Sequence, residues 1–350
     1  MVYCKMQKYV ESDINVVNEV ERTKWKRVLI TLGKDWRLYV LLIPMLLFII
    51  LFKYFPAYGI LTGFKWGEDT SELYNSQWCG FYWLENIFVG NTAPTFWRAF
   101  RNTFVNSMYG LLIGFPIPIL IALLFSEIKC LGYRSFLQVA CYLPHFVSTV
   151  VVTALITLWC EGETQSSAGG VLYQLCSLFN LTNGDAGQEV TTSLLVQPKF
   201  FRPIYQISGI WEGAGYGSIV YFAAIVAISP TSYEAARIDG ASKLQQIRYV
   251  TLPGMAPTLT IMLINRIGSI LNVGYEKVLL LIGDKKSAWE TGDVISTLVY
   301  RMSGRDINAT GEVVVQQIGI VADLFNAVIA MCLVLGANAI SRRVSSTSLF

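Results

Sequence analysis

The sequence is short of charge. Of its 350 residues only 15% are Asp, Glu, Lys or Arg, while 53% are hydrophobic. A soluble domain carries charge on about a quarter of its residues. The deficit is gathered into long apolar runs between short polar stretches, which excludes an ordinary water-soluble domain and points to a bilayer as solvent. The formal net charge of +3 is too small to argue for nucleic acid. Histidine is almost missing: His145 is the single one. The seven cysteines show no CxxC pairing, so neither a metal site nor a disulfide framework is expected. Cys141 and Cys332 fall in apolar runs, where cysteine usually acts as a small buried hydrophobe. No G-x-x-x-x-G-K-[S/T] phosphate loop occurs, so the chain is not expected to hydrolyse nucleotide, and no catalytic residue is assigned. The first residues are mixed polar rather than basic then apolar, so no cleavable signal peptide is expected.

What is present is a series of six apolar runs of spanning length: Leu38–Phe55, Phe104–Phe125, Phe136–Trp159, Ile204–Ile228, Pro257–Ile282 and Gln317–Ile340. A spanning helix needs roughly 20 mostly apolar residues. The prolines inside these runs (Pro44, Pro116, Pro118, Pro144) are tolerated at membrane depth when neighbours satisfy the freed carbonyls. The expected fold is therefore all-α, a polytopic membrane protein of six transmembrane helices.

Basic residues set the expected orientation. Lys24, Lys26, Arg27, Lys34 and Arg37 precede the first run, Arg342 and Arg343 follow the last, and Lys129, Arg134, Arg237, Lys243 and Arg248 lie in two of the short turns. The positive-inside rule places all of them in the cytoplasm, and both termini with them. The expected divisions are a cytoplasmic N-terminal segment 1–37, a transmembrane domain 38–343 and a cytoplasmic tail 344–350. The N-terminal segment is either loosely ordered or a helix lying on the inner surface. Three longer loops, about 56–103, 160–203 and 283–316, then face outward. Phe64, Trp66, Trp78, Tyr82 and Trp83 in the first of them form either an interfacial aromatic belt or a docking surface. Glu161, Glu163, Asp185 and Glu189 read as a solvated loop.

The most informative stretch is the turn 229–254. Thr231 and Glu234 have capping-box spacing, which predicts a helix start there. Ala235 and Ala236 are strong helix formers. Gly240 is the residue type that ends a helix in the left-handed conformation. A second short helix can follow through Leu244, Ile247 and Val250, with Leu252-Pro253 expected to stop it. The result is a helix–turn–helix knuckle with a small-residue face flanked by Glu234, Arg237 and Asp239.

The pattern Glu234-Ala235-Ala236, Gly240, Leu252-Pro253 resembles the EAA loop of importer permeases of the ATP-binding cassette class. Asp239 and Ala241 complete the Asp-Gly-Ala form common in the sugar branch, and Val250 stands where that family usually has isoleucine. Other stretches are similar to permeases for complex oligosaccharides, relatives of the maltose type: Arg101 to Phe104, Tyr142 to Ser148, Gly274 to Leu281, Asp293 to Arg301 and Ala337-Asn338. The resemblance covers the chain from about residue 34. It implies a type I importer permease fold, a bacterial plasma-membrane location and a heterodimeric pore with a second permease subunit. It also implies an ATPase dimer, holding ATP and Mg²⁺, docked on the coupling residues Glu234, Ala235, Ala236, Asp239, Gly240, Ala241, Leu252 and Pro253. An external solute-binding protein would deliver an oligosaccharide, and no cofactor is expected in this chain. The family accounts for His145 as a structural motif position rather than a proton relay.

A sugar path needs hydrogen-bonding and aromatic side chains. Trp211, Tyr216, Asn265, Asn272 and Asn326 are the candidates in the last three runs, although helix packing explains each alone equally well. Glu212, Arg266, Glu276 and Asp323 also fall in or beside the runs, and should face one another or a polar cavity. A stand-alone secondary transporter would show two related halves, and none are visible. A membrane-embedded glycan-processing enzyme would need clustered acids or histidines at one membrane face, which the loop acids do not supply.

Overall fold

The computed structural model describes residues 34–66, 76–163, 168–179, 193–283, 285–302 and 316–344, together with Lys26 and Leu181. Most of the N-terminal segment 1–37, loop residues Asp185 and Glu189, and the tail beyond Val344 lie outside the described residues. The chain divides into two units, residues 1–61 and 62–350.

In the first unit α1 spans Trp36–Ile49 and continues through a π turn, Ile50–Tyr54, into Phe55–Ala57. The second unit contains α2 (Tyr82–Val89), α3 (Ala93–Glu127), α4 (Leu131–Phe146), α5 (Thr149–Cys160), α6 (Val171–Leu178) and α7 (Pro198–Val226). Then follow α8 (Pro230–Ile238), α9 (Lys243–Gly254), α10 (Ala256–Gly268), α11 (Tyr275–Ile282), α12 (Ile295–Tyr300) and α13 (Gln316–Val344). Among the described residues three helical runs can cross a bilayer unaided, and six can if each bent helix pair counts as one span. Among the described residues the fold is all-helical, as the sequence predicts.

Three π turns share one cause. They end at Tyr54, Gly114 and Thr251, each two residues before a proline, Pro56, Pro116 and Pro253. A proline ring collides with the carbonyl four residues back and offers no N–H. Widening the turn by one residue relieves both problems while the helix runs on. Leu252-Pro253 therefore does not stop the second knuckle helix as expected. α9 stays helical to Gly254 and turns by 67° into α10 at Met255.

Two expected spans are interrupted. The run Phe136–Trp159 is two helices, α4 and α5, meeting at 91°. Pro144 sits in a closing 3₁₀ turn, Leu143–Phe146, beyond which Val147 is extended. Ser148 then caps α5, its hydroxyl accepting from the Val150 N–H. The run Pro257–Ile282 also breaks. α10 has 13 residues, about 20 Å, and six residues separate it from α11. The break borrows donors from elsewhere: the Leu271 carbonyl accepts from Asn326 Nδ2 at 3.4 Å, and the Val273 carbonyl accepts from Ser296 Oγ.

Packing is led by α7, which lies along the second half of α3, and by α10 against α13. The close approach of α7 to α4 needs Gly215, where an added Cβ would land on the Cys141 carbonyl. Three apolar cores result. One gathers Val152, Ile156, Phe201, Val278, Leu281 and Trp289, a second Ile87, Phe96, Ile295, Leu298, Ile318 and Val321. A smaller one holds Ala122, Tyr221, Ile225 and Met255. Contrary to expectation, Cys332 is exposed. His145 stacks on Tyr216, ring centroids 4.0 Å apart and 11° from parallel, a packing contact beside the α4–α5 bend.

Candidate functional site

The knuckle is built almost wholly from local bonds. α8 begins at Pro230 with Ser229 as its N-cap residue, and Ser229 Oγ meets Thr231 Oγ1 at 2.7 Å. The expected Thr231–Glu234 capping box is not formed, because proline at the first helical position sets the N-cap at Ser229, two residues earlier. The box occurs instead at α9: Ser242 N donates to Gln245 Oε1 at 2.7 Å, and Ser242 Oγ accepts from Gln245 N.

Between the helices Gly240 has φ +77°, the left-handed region that glycine enters without penalty. The Ala241 N–H reaches the Ala236 carbonyl at 2.9 Å and the Gly240 N–H reaches the Arg237 carbonyl at 3.1 Å. These are the two bonds of a Schellman turn, which satisfies the last carbonyls of α8. Tyr233 Oη meets Thr251 Oγ1 at 3.1 Å across the knuckle, and Lys243 Nζ ties it to Glu127 Oε2 of α3 at 2.6 Å. Glu234, Ala235, Asp239, Gly240, Leu252 and Pro253 are exposed, with Ala236 and Ala241 half-buried. Ile238, Leu244 and Tyr249 stand out at 86%, 79% and 69% exposure.

A second feature lies between α3, α7, α10 and α11. It is a cavity of about 500 Å³. Glycines open it: Gly110 and Gly114 on α3 face Gly209, Gly213 and Gly217 on α7. Spacing of four keeps each set on one helix face. Tyr205, Gln206, Asn265, Arg266, Ser269 and Lys277 supply polar and aromatic edges. A smaller cavity of about 170 Å³ shares Arg266 and Ser269 with it and includes Asn272.

Of the five path candidates, Asn265 lines the larger cavity and Asn272 the smaller. Trp211 and Tyr216 line neither. They fall off the α7 face defined by Gln206, Gly209, Gly213 and Gly217, since a step of one or two residues turns a helix away from its neighbour. Asn326 lines neither; its Nδ2 donates to the Leu271 carbonyl, while its Oδ1 is buried with no hydrogen-bond partner among the described residues.

The membrane-depth charges divide similarly. Glu212 meets Lys277 at 2.7 Å with both side chains largely buried, and Arg266 faces the cavity. Glu276 and Asp323 are exposed and form no ion pair among the described residues. Lys277 went unnoticed beside Glu276, yet one residue along α11 changes the face. The glycine spacing at 209, 213 and 217 is the signal that could have found the cavity wall.

A third group was not foreseen at all. Asp293, fully buried, accepts from Arg301 Nη2 at 3.0 and 2.9 Å, from Thr297 Oγ1 at 3.0 Å and from Arg98 Nη2 at 3.1 Å. Arg301 also lies over the Trp289 ring at 4.4 Å. Next to it Asn102 donates to the Glu290 carbonyl at 2.9 Å and accepts from Arg202 Nη2 at 2.8 Å. The group joins α3, α7 and the segment 289–301 and leaves its charges little room for a ligand.

Residues 38–346 match the family described as binding-protein-dependent transport system inner membrane component. Protein LplB of Bacillus subtilis (strain 168) is 33% identical over 319 residues, 91% of this chain and 92% of LplB. The polygalacturonan/rhamnogalacturonan transport system permease protein YteP of the same organism is 31% identical over 330 residues, 94% of this chain and 95% of YteP. Among solved structures, a chain from a bacterial ABC transporter involved in the import of the acidic polysaccharide alginate has a TM-score of 0.77 at 38% identity. The match covers 91% of this chain and 100% of that one. A second crystal structure, of the alginate transporter with an alginate pentasaccharide-bound periplasmic protein, gives 0.76 at 37%, covering 91% of this chain and 98% of that one.

Proposed function

The chain belongs to the binding-protein-dependent transport system inner membrane components, as a membrane-embedded permease subunit, and from that premise we propose that it passes an oligosaccharide inward under the control of a separate ATPase. In this reading the ATPase dimer holds the ATP and Mg²⁺ and seats on Glu234 to Ala241 with Leu252 and Pro253. A second permease chain completes the pore, and an external solute-binding protein delivers the sugar. Residues 1–37 and 344–350 are cytoplasmic, flanking the permease domain 38–343, as the basic clusters require under the positive-inside rule. The relative named for polygalacturonan/rhamnogalacturonan transport and the transporter involved in the import of alginate support the choice of substrate.

The observation that carries the reading is the knuckle. It is a short helix pair locked by a Schellman turn, so its shape does not depend on a partner. At the same time it exposes Ile238, Leu244 and Tyr249, so its surface does. A rigid element that presents apolar groups transmits a push without absorbing it.

Gly240 is the position to test. A Cβ there would meet nothing within 4 Å in this chain. The cost of a larger residue therefore comes from the left-handed backbone and from contact with a docked subunit. Gly240→Glu should abolish substrate-stimulated ATP hydrolysis and uptake by the reconstituted complex, while the permease still inserts. Glu234→Ala should leave the stability of the permease unchanged, because Glu234 caps nothing, and should lower coupling only. Wild-type hydrolysis and uptake in Gly240→Glu would remove the knuckle from the ATPase interface.

A further inference from the structure

We infer that the sugar this permease passes carries a carboxylate, a uronate, and that Arg266 is the group that receives it; the inference rests on the carbohydrate reading above. Two cations line the larger cavity, and they differ. Lys277 is neutralised by Glu212 at 2.7 Å. Arg266 has no carboxylate within ion-pair distance among the described residues. Among the described residues its hydrogen bond is a long one, Nη2 to the Gly110 carbonyl at 3.4 Å, and it lines both cavities. Arg266 is exposed in the isolated chain, so its charge is open to a ligand in the cavity, and a cation in a spanning segment without a counter-charge marks a substrate or ion pathway.

The shape around it fits a sugar acid. Gly110 and Gly114 hold the α3 wall back from the guanidinium: a Cβ on Gly110 would lie 3.0 Å from Nη2 and one on Gly114 3.9 Å. The space kept clear is therefore space beside the charge. Tyr205 offers a ring for the apolar face of a pyranose, and Gln206, Asn265 and Ser269 offer donors and acceptors for its hydroxyls. A planar carboxylate takes two parallel bonds from a guanidinium, which a hydroxyl cannot do. A neutral sugar would leave Arg266 uncompensated throughout its passage.

The test uses the assembled importer with its partner subunits and binding protein in proteoliposomes. The probes are tetrasaccharides of galacturonate, mannuronate and guluronate, each paired with its carboxyl-reduced neutral counterpart. The wild type should take up at least one acidic probe in preference to its reduced partner. Arg266→Gln should lower that uptake about tenfold or more, the scale of one charge-assisted bond, and Arg266→Lys should restore part of it. The binding protein is the same in all arms, so its own preference cancels between variants. Equal wild-type uptake of acidic and reduced probes would overturn the inference and leave the carbohydrate reading standing. So would an Arg266→Gln effect of equal size on both, the result expected if a partner subunit's carboxylate pairs with Arg266. Failure to take up any saccharide would remove the carbohydrate reading, and this inference with it.

Discussion

The Asp293 group and the knuckle 229–254 are both polar assemblies on short helices, yet they are held in opposite ways. Asp293 is closed off from solvent, and one of its ion partners, Arg98, comes from 195 residues away. The knuckle's bonds run mostly between residues six or fewer apart, and most of its side chains are exposed. A buried charge cannot turn to water when a partner is lost, so Asp293 and Arg301, both buried, are indispensable to each other. An exposed turn can rehydrate. The molecule thus has one polar cluster that fixes three segments of chain together and another that keeps its own shape while remaining open to a second protein.

The sharpest way to break the comparison is Asp293→Asn. The shape survives but Arg301, 3% exposed, loses its counter-charge, and removing one partner of a buried pair costs about 3–5 kcal/mol. The expected outcome is poor recovery of folded complex and a large fall in its melting temperature in detergent. A melting temperature equal to wild type would show that the group does not hold α3 and α12 together. Arg98→Ala should cost clearly less, since its side chain is 37% exposed and Asp293 keeps Arg301. The same melting assay would count against this ranking if Arg98→Ala fell as far as Asp293→Asn. The smallest effect is expected in the knuckle: Ser242→Ala removes the α9 cap at about 1 kcal/mol. That variant should assemble normally and lose at most part of its stimulated ATP hydrolysis; a failure to assemble would mean that the knuckle is less self-sufficient than its bonds imply.

The knuckle was legible in the sequence because its determinants are neighbours: two alanines, a glycine four residues later, and a proline at each end. Even there one helix start and one helix end fall elsewhere than the sequence predicts, since Pro230 outweighs the Thr231–Glu234 spacing and a π turn carries α9 past Pro253. The six apolar runs were legible because hydropathy is additive along a chain. The breaks inside two of them were not, because a run remains apolar across Pro144 or across Ser269 to Gly274 whatever its backbone does. Asp293 and Arg301 stood in plain view in a stretch matched only by resemblance. Their pairing with Arg98 is a fact of tertiary structure, and nothing local signals it. The cavity was half legible. Asn265 and Arg266 were singled out by type, whereas the wall glycines announce themselves only through their spacing.

The interrupted run between α10 and α11 also has a consequence for the order in which the protein is made. α10, about 20 Å long, is too short for a hydrocarbon layer of about 30 Å, and the carbonyls of Leu271 and Val273 just beyond it take their bonds from Asn326 and Ser296. Both donors are synthesised after the acceptors. A nascent chain therefore reaches the membrane with a span that lipid alone cannot accept, and it must hold that span in a wetter setting until α12 and α13 emerge. The C-terminal third of the protein should therefore insert as one cooperative piece, whereas α3, continuous over 35 residues, is long enough to insert alone.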